Sequence, residues 1–461
     1  MSDELRTTPS FIKGRLFGLQ FAQEIKKNPL GAARRLQAEH GDLVVISVLG
    51  TTICYCFRPE IAREILLNQH DVFVKDSRQL TIFQSVQGKN VITTEGTAWE
   101  RQRRILTPAF SSKRIADYVA LMNSAVDEGM QQELPRYINE SKVIDANSLM
   151  TRITMDVILR ALFSYQGTRD EANAVSNSVR SLTRQNMREL FWPFIPPDWV
   201  PYPGRSAKRR HIATLDRLLT TQIRVRQNYP KTITSQDVLA VMLETRNDHD
   251  QPGSNCLSNE EVRSNCFGLF GAGHDTAASA LTWWIGLMAV HSSIAERVRQ
   301  EVKSAESDLH NPDVITGLPL LNATLKEALR LYPPSTAVFG RRALRDAHIG
   351  NVDILKGTLV IIPIWSMHHD ERWFPEPDQF QPERFLSDAP PIPRGAYMPF
   401  GAGPHFCLGQ HFAMVEMALI AAKLVGCYKF SLLEGDSLPS PIVDLVLRPK
   451  TSLQIQVTRS C

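Results

Sequence analysis

The sequence predicts a mainly α chain with a small β region. Apolar residues recur with helical spacing through about 98–330 and again over 408–426, whereas strand-like patterns are confined to about 40–60, 335–365 and 440–458. No repeat and no polar low-complexity linker divides the 461 residues, so 1–461 reads as a single domain. A hydrophobic fraction of 43% is ample for a large core.

In chain order, "DLVVISVLG" and "TTICYCF" read as two strands joined at Gly50, and "PEIAREILLNQ" as an amphipathic helix with Pro59 at its start. Two interruptions stand out further along the chain, "SVQGKNVITTEG" at 85–96 and "FWPFIPPDWVPYPG" at 191–204. The second is so apolar that it is expected to cover something rather than face solvent. The last third brings short strands, "VDILKGTLVIIPI" and "DLVLRPKTSLQIQV", around a proline-rich meander from Trp373 to Pro404 and one more helix after Cys407.

The formal charge of +4 is too small to argue for nucleic acid. No apolar run approaches the ~20 residues of a bilayer span, and the N-terminus shows no signal peptide, so a cytoplasmic protein without a membrane anchor is expected. The seven cysteines show no metal-ligand spacing and read mostly as buried thiols in a reducing compartment.

Cys407, in "PFGAGPHFCLGQHFA", is different. A helix N-terminus favours a thiolate, and flanking glycines let backbone N–H groups approach the sulfur. With no second ligand at zinc spacing, a lone thiolate points to a metal already held by a macrocycle, a heme with cysteine as axial ligand; a cysteine that merely caps a helix is the alternative. "GLFGAGHDTAASALTWW" places Gly271 and Gly273 inside a helix, where each costs ~1 kcal/mol relative to alanine, just before Asp275 and Thr276. Small residues there would let a helix pass over a flat cofactor, with a local kink at Thr276 and a proton relay through Asp275. Glu327 and Arg330 in "LKEALRLYPP" sit one turn apart, and Arg384 of "QPERF" is positioned to complete a charge network with them. Trp99 and Arg103 lie at i,i+4 in "GTAWERQRR", able to offer an indole N–H and a guanidinium to a carboxylate.

In this order, "GTAWERQRR", "AGHDT", "EALR", "PERF" and "FGAGPHFCLG" resemble the cytochrome P-450 family of heme-thiolate monooxygenases over essentially the whole chain. The resemblance implies the family's helix-rich triangular prism enclosing heme b, with dioxygen as co-substrate. It implies Cys407 as axial iron ligand, with Phe400, Gly403 and Gly409 shaping its loop. Trp99, Arg103, His405 and Arg341 become partners of the heme propionates, with the choice between Arg341 and Arg342 open. Asp275 and Thr276 become the acid and alcohol of oxygen activation, and Glu327, Arg330 and Arg384 the structural network.

By the same resemblance the substrate pocket draws on Ile82, Phe83, Val86, Val91, Ile92, the 191–204 segment, Ala272, Ala337, Val338, Phe339, Val443 and Leu445. That set is mostly apolar and implies a lipophilic small molecule, hydroxylated or epoxidised, of the fatty acid, polyketide or terpenoid class; "AGHDT" and the meander look closest to the fatty-acid-hydroxylating branches, and a role in secondary metabolism follows. The chain ends about fifty residues past Cys407, so a separate electron donor is expected, a ferredoxin with an NAD(P)H-dependent ferredoxin reductase, docking a monomer on a basic face that includes Arg101, Arg104, Lys113 and Arg114. Three other readings remain: a peroxide-driven or isomerising enzyme of the same fold, a heme-thiolate sensor, and a non-heme centre at His368, His369 and Asp370.

Overall fold

The computed structural model describes residues 10–12, 14, 16–140, 143–192, 194, 196, 199–228, 237–244, 256–305, 309, 311–349 and 352–460. The N-terminal part runs β1 (Ser10–Ile12), α1 (Leu19–Lys27), α2 (Pro29–His40), β2 (Leu43–Val48), β3 (Thr51–Cys56), α3 (Pro59–Arg63), β4 (Phe73–Lys75) and α4 (Ser77–Gln87). The helical part runs α5 (Gly96–Leu106), α6 (Ser112–Glu140), β5 (Val143–Asp145), α7 (Ala146–Phe163), α8 (Arg169–Leu190), α9 (Arg205–Asn228), α10 (Val238–Glu244), α11 (Asn259–Val290), α12 (Ser292–Ser304), α13 (Pro312–Thr316) and α14 (Pro319–Leu331). The chain closes with β6 (Arg341–Ala343), β7 (Ala347–Ile349), β8 (Val352–Ile354), β9 (Leu359–Ile361), α15 (Ile364–His368), α16 (Gln410–Cys427), β10 (Tyr428–Leu432), β11 (Pro441–Asp444), β12 (Val446–Pro449) and β13 (Gln454–Arg459).

Four strands of the N-terminal part and two from 341–361 build the main sheet, in the order β1-β2-β3-β9-β6-β4. Its centre is the antiparallel β2–β3 hairpin, closed by Leu49 and Gly50 at φ +49° and +80°, the positive pair a two-residue turn needs. Strand β9 then adds parallel to β3. The amphipathic helix expected after Pro59 is split, α3 passing into a π-helical turn over Glu64–Asn68. A second sheet, β10-β13-β5, joins the C-terminal strands to a strand from the middle of the helical part. Strands β1, β4 and β5 are not legible in the sequence because three residues are too few to show an alternation.

Helix α11 organises the interior. It begins with a capping box, in which Ser258 and Glu261 each satisfy the other's backbone N–H, and 23 of its 32 residues are buried. A helix buried on all sides carries no single apolar stripe, and α7, α9, α14 and α16 all pack against it. Among the described residues one helix, α16, is long and apolar enough to cross a membrane, and it is largely buried in the core. In the 191–204 segment the structure departs from expectation: Phe194 is 66% exposed and Trp199 81%, so these two rings cover nothing, while Trp192 packs edge-on against Tyr202.

Candidate functional site

The Cys407 loop is built by backbone. The Cys407 N–H donates to Phe400 O at 2.9 Å, closing the loop, and Gly401 and Gly403 take φ +75° and +74°. Gly403 is fixed by a close approach on its far side: a Cβ there would lie 1.9 Å from Leu66 O. Helix α16 starts at Gln410 with Gly409 as its N-cap, three residues after the cysteine begins the turn. Protein surrounds Cys407 on all sides, yet its surface is exposed, so it forms part of the wall of an internal hollow. Burial pushes its thiol up, while a hydrogen bond from the Gly409 backbone and the Arg103 guanidinium pull it down.

A second opening lies on α11, which packs against α16. Ala272 is exposed in the middle of this otherwise buried helix, and a Cβ on Gly271 would meet nothing within 4 Å. Gly273 has another reason to be small, since a Cβ there would come within 2.8 Å of Ile158 on α7. Contrary to expectation, α11 stays continuous through Thr276, whose hydroxyl donates to Ala272 O at 2.8 Å.

Beside the loop stands a charged cluster. The rings of Trp99 and His405 lie 4.0 Å apart, and His405 Nε2 is 2.9 Å from Glu95 Oε1. His405 Nδ1 is buried without a partner. Burial holds His405 below the usual histidine range, and burial also lowers Arg103 and brings Arg341 down to about 10. Arg341 is 4% exposed, whereas Arg342 is taken up by Asp76 and by Gly357 O at 2.8 Å. Lys75 and Glu95 belong to the cluster, and no motif in the sequence marks them. Lys75 Nζ donates to Ile92 O and Thr94 O at 3.0 and 2.7 Å, and burial lowers it to about 8. Two buried cations, Lys75 and Arg341, thus share one carboxylate, Glu95, and the half-buried Arg103 stands by Cys407, which leaves a positive pocket next to an accessible sulfur. These residues fit a cofactor that presents carboxylates at its edge and an iron to Cys407.

Glu327 and Arg330 are both fully buried, paired through two bonds of 2.7 and 2.8 Å. Arg384 Nε stands 3.4 Å from Glu327, and its Nη2 donates to Pro375 O and Glu376 O. Arg330 also donates to His368 O and Pro377 O at 2.7 Å each and to Gln379 O at 3.1 Å, so the three residues pin the meander to α14.

The expected pocket residues divide. Ile82, Phe83 and Val86 are buried along α4, Val91 and Ile92 follow in the next loop, and the Phe83 and Phe339 rings come within 5.6 Å. Ala337 is partly buried, and Val443 and Leu445 sit at the β11–β12 turn, with Leu445 at φ +69°. Val338 instead packs on the core beneath the main sheet. Asp275 is buried in an ion pair with Arg448 of β12. The non-heme reading fails on geometry. His368 spends Nδ1 on Arg330 O and Nε2 on the Met398 N–H, His369 uses Nδ1 on Trp365 O, and Asp370 is occupied by Gln37 and Arg372. Of the basic face, Arg101 is drawn to Glu261 and Cys256 O at the start of α11.

The family model that describes Cytochrome P-450 matches residues 9–457, and the chain belongs to that family. The family's enzymes are monooxygenases that use a heme-thiolate and dioxygen and depend on redox partners. Relatives include a cytokinin hydroxylase of Arabidopsis thaliana, 30% identical over 86% of this chain and 77% of that one. Another is the cyclooctat-9-en-7-ol 5-monooxygenase of Streptomyces melanosporofaciens, 29% identical over 89% and 87%. Among solved structures, retinoic acid-bound cyanobacterial CYP120A1 superposes with a TM-score of 0.78 at 26% identity, covering 94% of this chain and 95% of that one.

Proposed function

We propose that residues 1–461 form one catalytic unit in which Cys407 is the axial thiolate of heme b, and that it inserts one oxygen atom into a lipophilic small molecule. One observation carries this reading: an interior cysteine at the start of α16 stays accessible, with the Gly409 N–H on its sulfur. Phe400, Gly403 and Gly409 hold that sulfur in place. Trp99, Arg103, His405 and Arg341, joined by Lys75, would hold the two propionates, whose charge would answer the cationic excess beside the unpartnered His405 Nδ1. The bound cofactor supplies oxygen activation, favoured by thiolate donation. Thr276 holds a proton at its hydroxyl beside the hollow, and Asp275 replenishes it.

The apolar set Ile82, Phe83, Val86, Val91, Ile92, Ala272, Ala337, Phe339, Val443 and Leu445 supports a fatty acid, polyketide or terpenoid substrate, hydroxylated or epoxidised in secondary metabolism. The retinoic acid bound to the structural neighbour CYP120A1 accords with this. Electrons reach a cytoplasmic monomer from a ferredoxin and its NAD(P)H-dependent reductase, docking on a basic face that includes Arg101, Arg104, Lys113 and Arg114.

The test is the reduced carbon monoxide difference spectrum of purified protein. A far red-shifted Soret band is expected, and Cys407→Ser is expected to abolish it. A histidine-type spectrum in the unsubstituted protein, or retention of the shifted band in the variant, overturns the assignment.

A further inference from the structure

We infer that the cavity between α2 and α15 is a second binding site, one that takes a neutral, planar cyclic amide of nucleoside size by its O=C–N–H edge. The cavity measures about 410 Å³ and is walled by Arg34, Gln37 and Ala38 of α2, by Gly41 and Asp42, and by α15 with the turn that follows it. That volume suits a small organic molecule, and the lining shares no residue with the site around Cys407. Two donors of α15 in this wall have nothing to bond. Ser366 is 4% exposed, and its Oγ and the Trp365 Nε1 are both buried without a partner. An acceptor oxygen brought in from the cavity satisfies them.

One turn further on, His369 offers the opposite. Its Nδ1 lies 2.9 Å from Trp365 O, which only accepts, so Nδ1 carries the ring proton. Burial lowers this histidine to about 4, which keeps the ring neutral and leaves Nε2 a bare acceptor, and no group among the described residues donates to it. The Trp365 and His369 rings stack at 4.1 Å and make the wall aromatic, which favours a flat ligand. Charge decides against an ion. Three carboxylates, Asp42, Asp370 and Glu371, outnumber the guanidinium groups of Arg34 and Arg372 in the lining, which disfavours an anion. A cation finds the two buried carboxylates spent: Arg372 takes Asp42 at 2.7 and 2.9 Å and Asp370 at 2.6 and 2.9 Å, and Gln37 Nε2 donates to Asp370 at 2.9 Å. What remains is a pair of donors beside an acceptor, the complement of a carbonyl next to an N–H.

The test is calorimetric titration of the heme-loaded full chain with uridine and with inosine, polar probes that an apolar hollow does not attract. Their methylated forms, 3-methyluridine and 1-methylinosine, keep the ring and the carbonyl and lose the N–H. One-to-one binding of at least one nucleoside is expected, with no change in the Soret band. Each hydrogen bond removed is expected to weaken it about three- to tenfold: by methylation of the probe, in Ser366→Ala, and in His369→Phe, which keeps a ring against Trp365 but no acceptor. No heat from either nucleoside at millimolar concentration overturns the inference. So does an affinity that methylation leaves unchanged, or one that both substitutions leave unchanged. A Soret band that shifts as nucleoside is added puts the probe in the hollow instead and overturns the assignment to this cavity. Where His369→Phe does not hold heme, Ser366→Ala, which removes one oxygen atom, decides together with the methylated probes.

Discussion

Replacing Glu327 by glutamine keeps the side chain's shape and removes its charge. In the native protein both carboxylate oxygens accept from Arg330, one of them also accepts the Gln381 N–H at 3.0 Å, and Arg384 stands 3.4 Å away. After the change, two guanidinium groups face each other with no anion between them, and the new amide NH2 opposes an arginine N–H where it formerly found an acceptor. Neither Glu327 nor Arg330 has any exposure, so water cannot compensate. Breaking a buried pair by removing one partner costs about 3–5 kcal/mol. Against a total stability of roughly 5–15 kcal/mol this is a large share, and it raises the unfolded fraction by a factor of about 10² to 4 × 10³. Urea unfolding of the heme-loaded protein, followed by tryptophan fluorescence, measures it. Glu383→Gln is the control, because Glu383 pairs with Arg297 at the surface with both side chains about half exposed, and it is expected to cost about 0–1 kcal/mol. Equal urea midpoints for the two variants would refute the idea that burial, rather than pairing as such, makes this network structural.

Gly403→Ala is expected to lose heme retention and lower the melting temperature, since φ +74° alone costs about 1–2 kcal/mol and the added Cβ meets Leu66 O. Gly435→Ala, at φ +82° with open space around it, separates the dihedral cost from the clash. Burial lowers His368 to about 3 and His369 to about 4, so between those values and the ordinary 6.5 the unfolded chain binds protons that the folded chain refuses. Stability therefore falls as pH drops below 6.5, by about 1.4 kcal/mol per pH unit for each ring, and urea midpoints across that range in His368→Gln are expected to fall less steeply. Thr276→Ala is expected to keep the carbon monoxide spectrum while a larger share of the electrons consumed appears as peroxide; unchanged coupling removes Thr276 from proton delivery.

The parts that the sequence reveals most readily are those where one residue type is demanded locally. The turn at Gly50 is such a case, because its constraint acts within a few residues. The charge network is readable as a set of candidates but not as a structure: an i,i+3 pair such as Glu327 and Arg330 looks the same whether solvated or fully buried, and only packing of the meander over α14 decides. Lys75 shows the opposite limit. Nothing in "FVKDS" marks its lysine, since the partners that define it, Ile92 O, Thr94 O and Glu95, arrive through folding. Asp275 shows why adjacency misleads. Its neighbour Thr276 suggests one relay, but consecutive helical residues diverge by about 100°, and the side chain's partner, Arg448, lies 173 residues away. Motif reading assigns residues to a site by their order along the chain, whereas helical phase and strand register decide which of them share a face. In this protein it is the hairpin at 441–449, unmarked by any motif, that pairs with the acid of α11 through Arg448 and with α8 through Asp444.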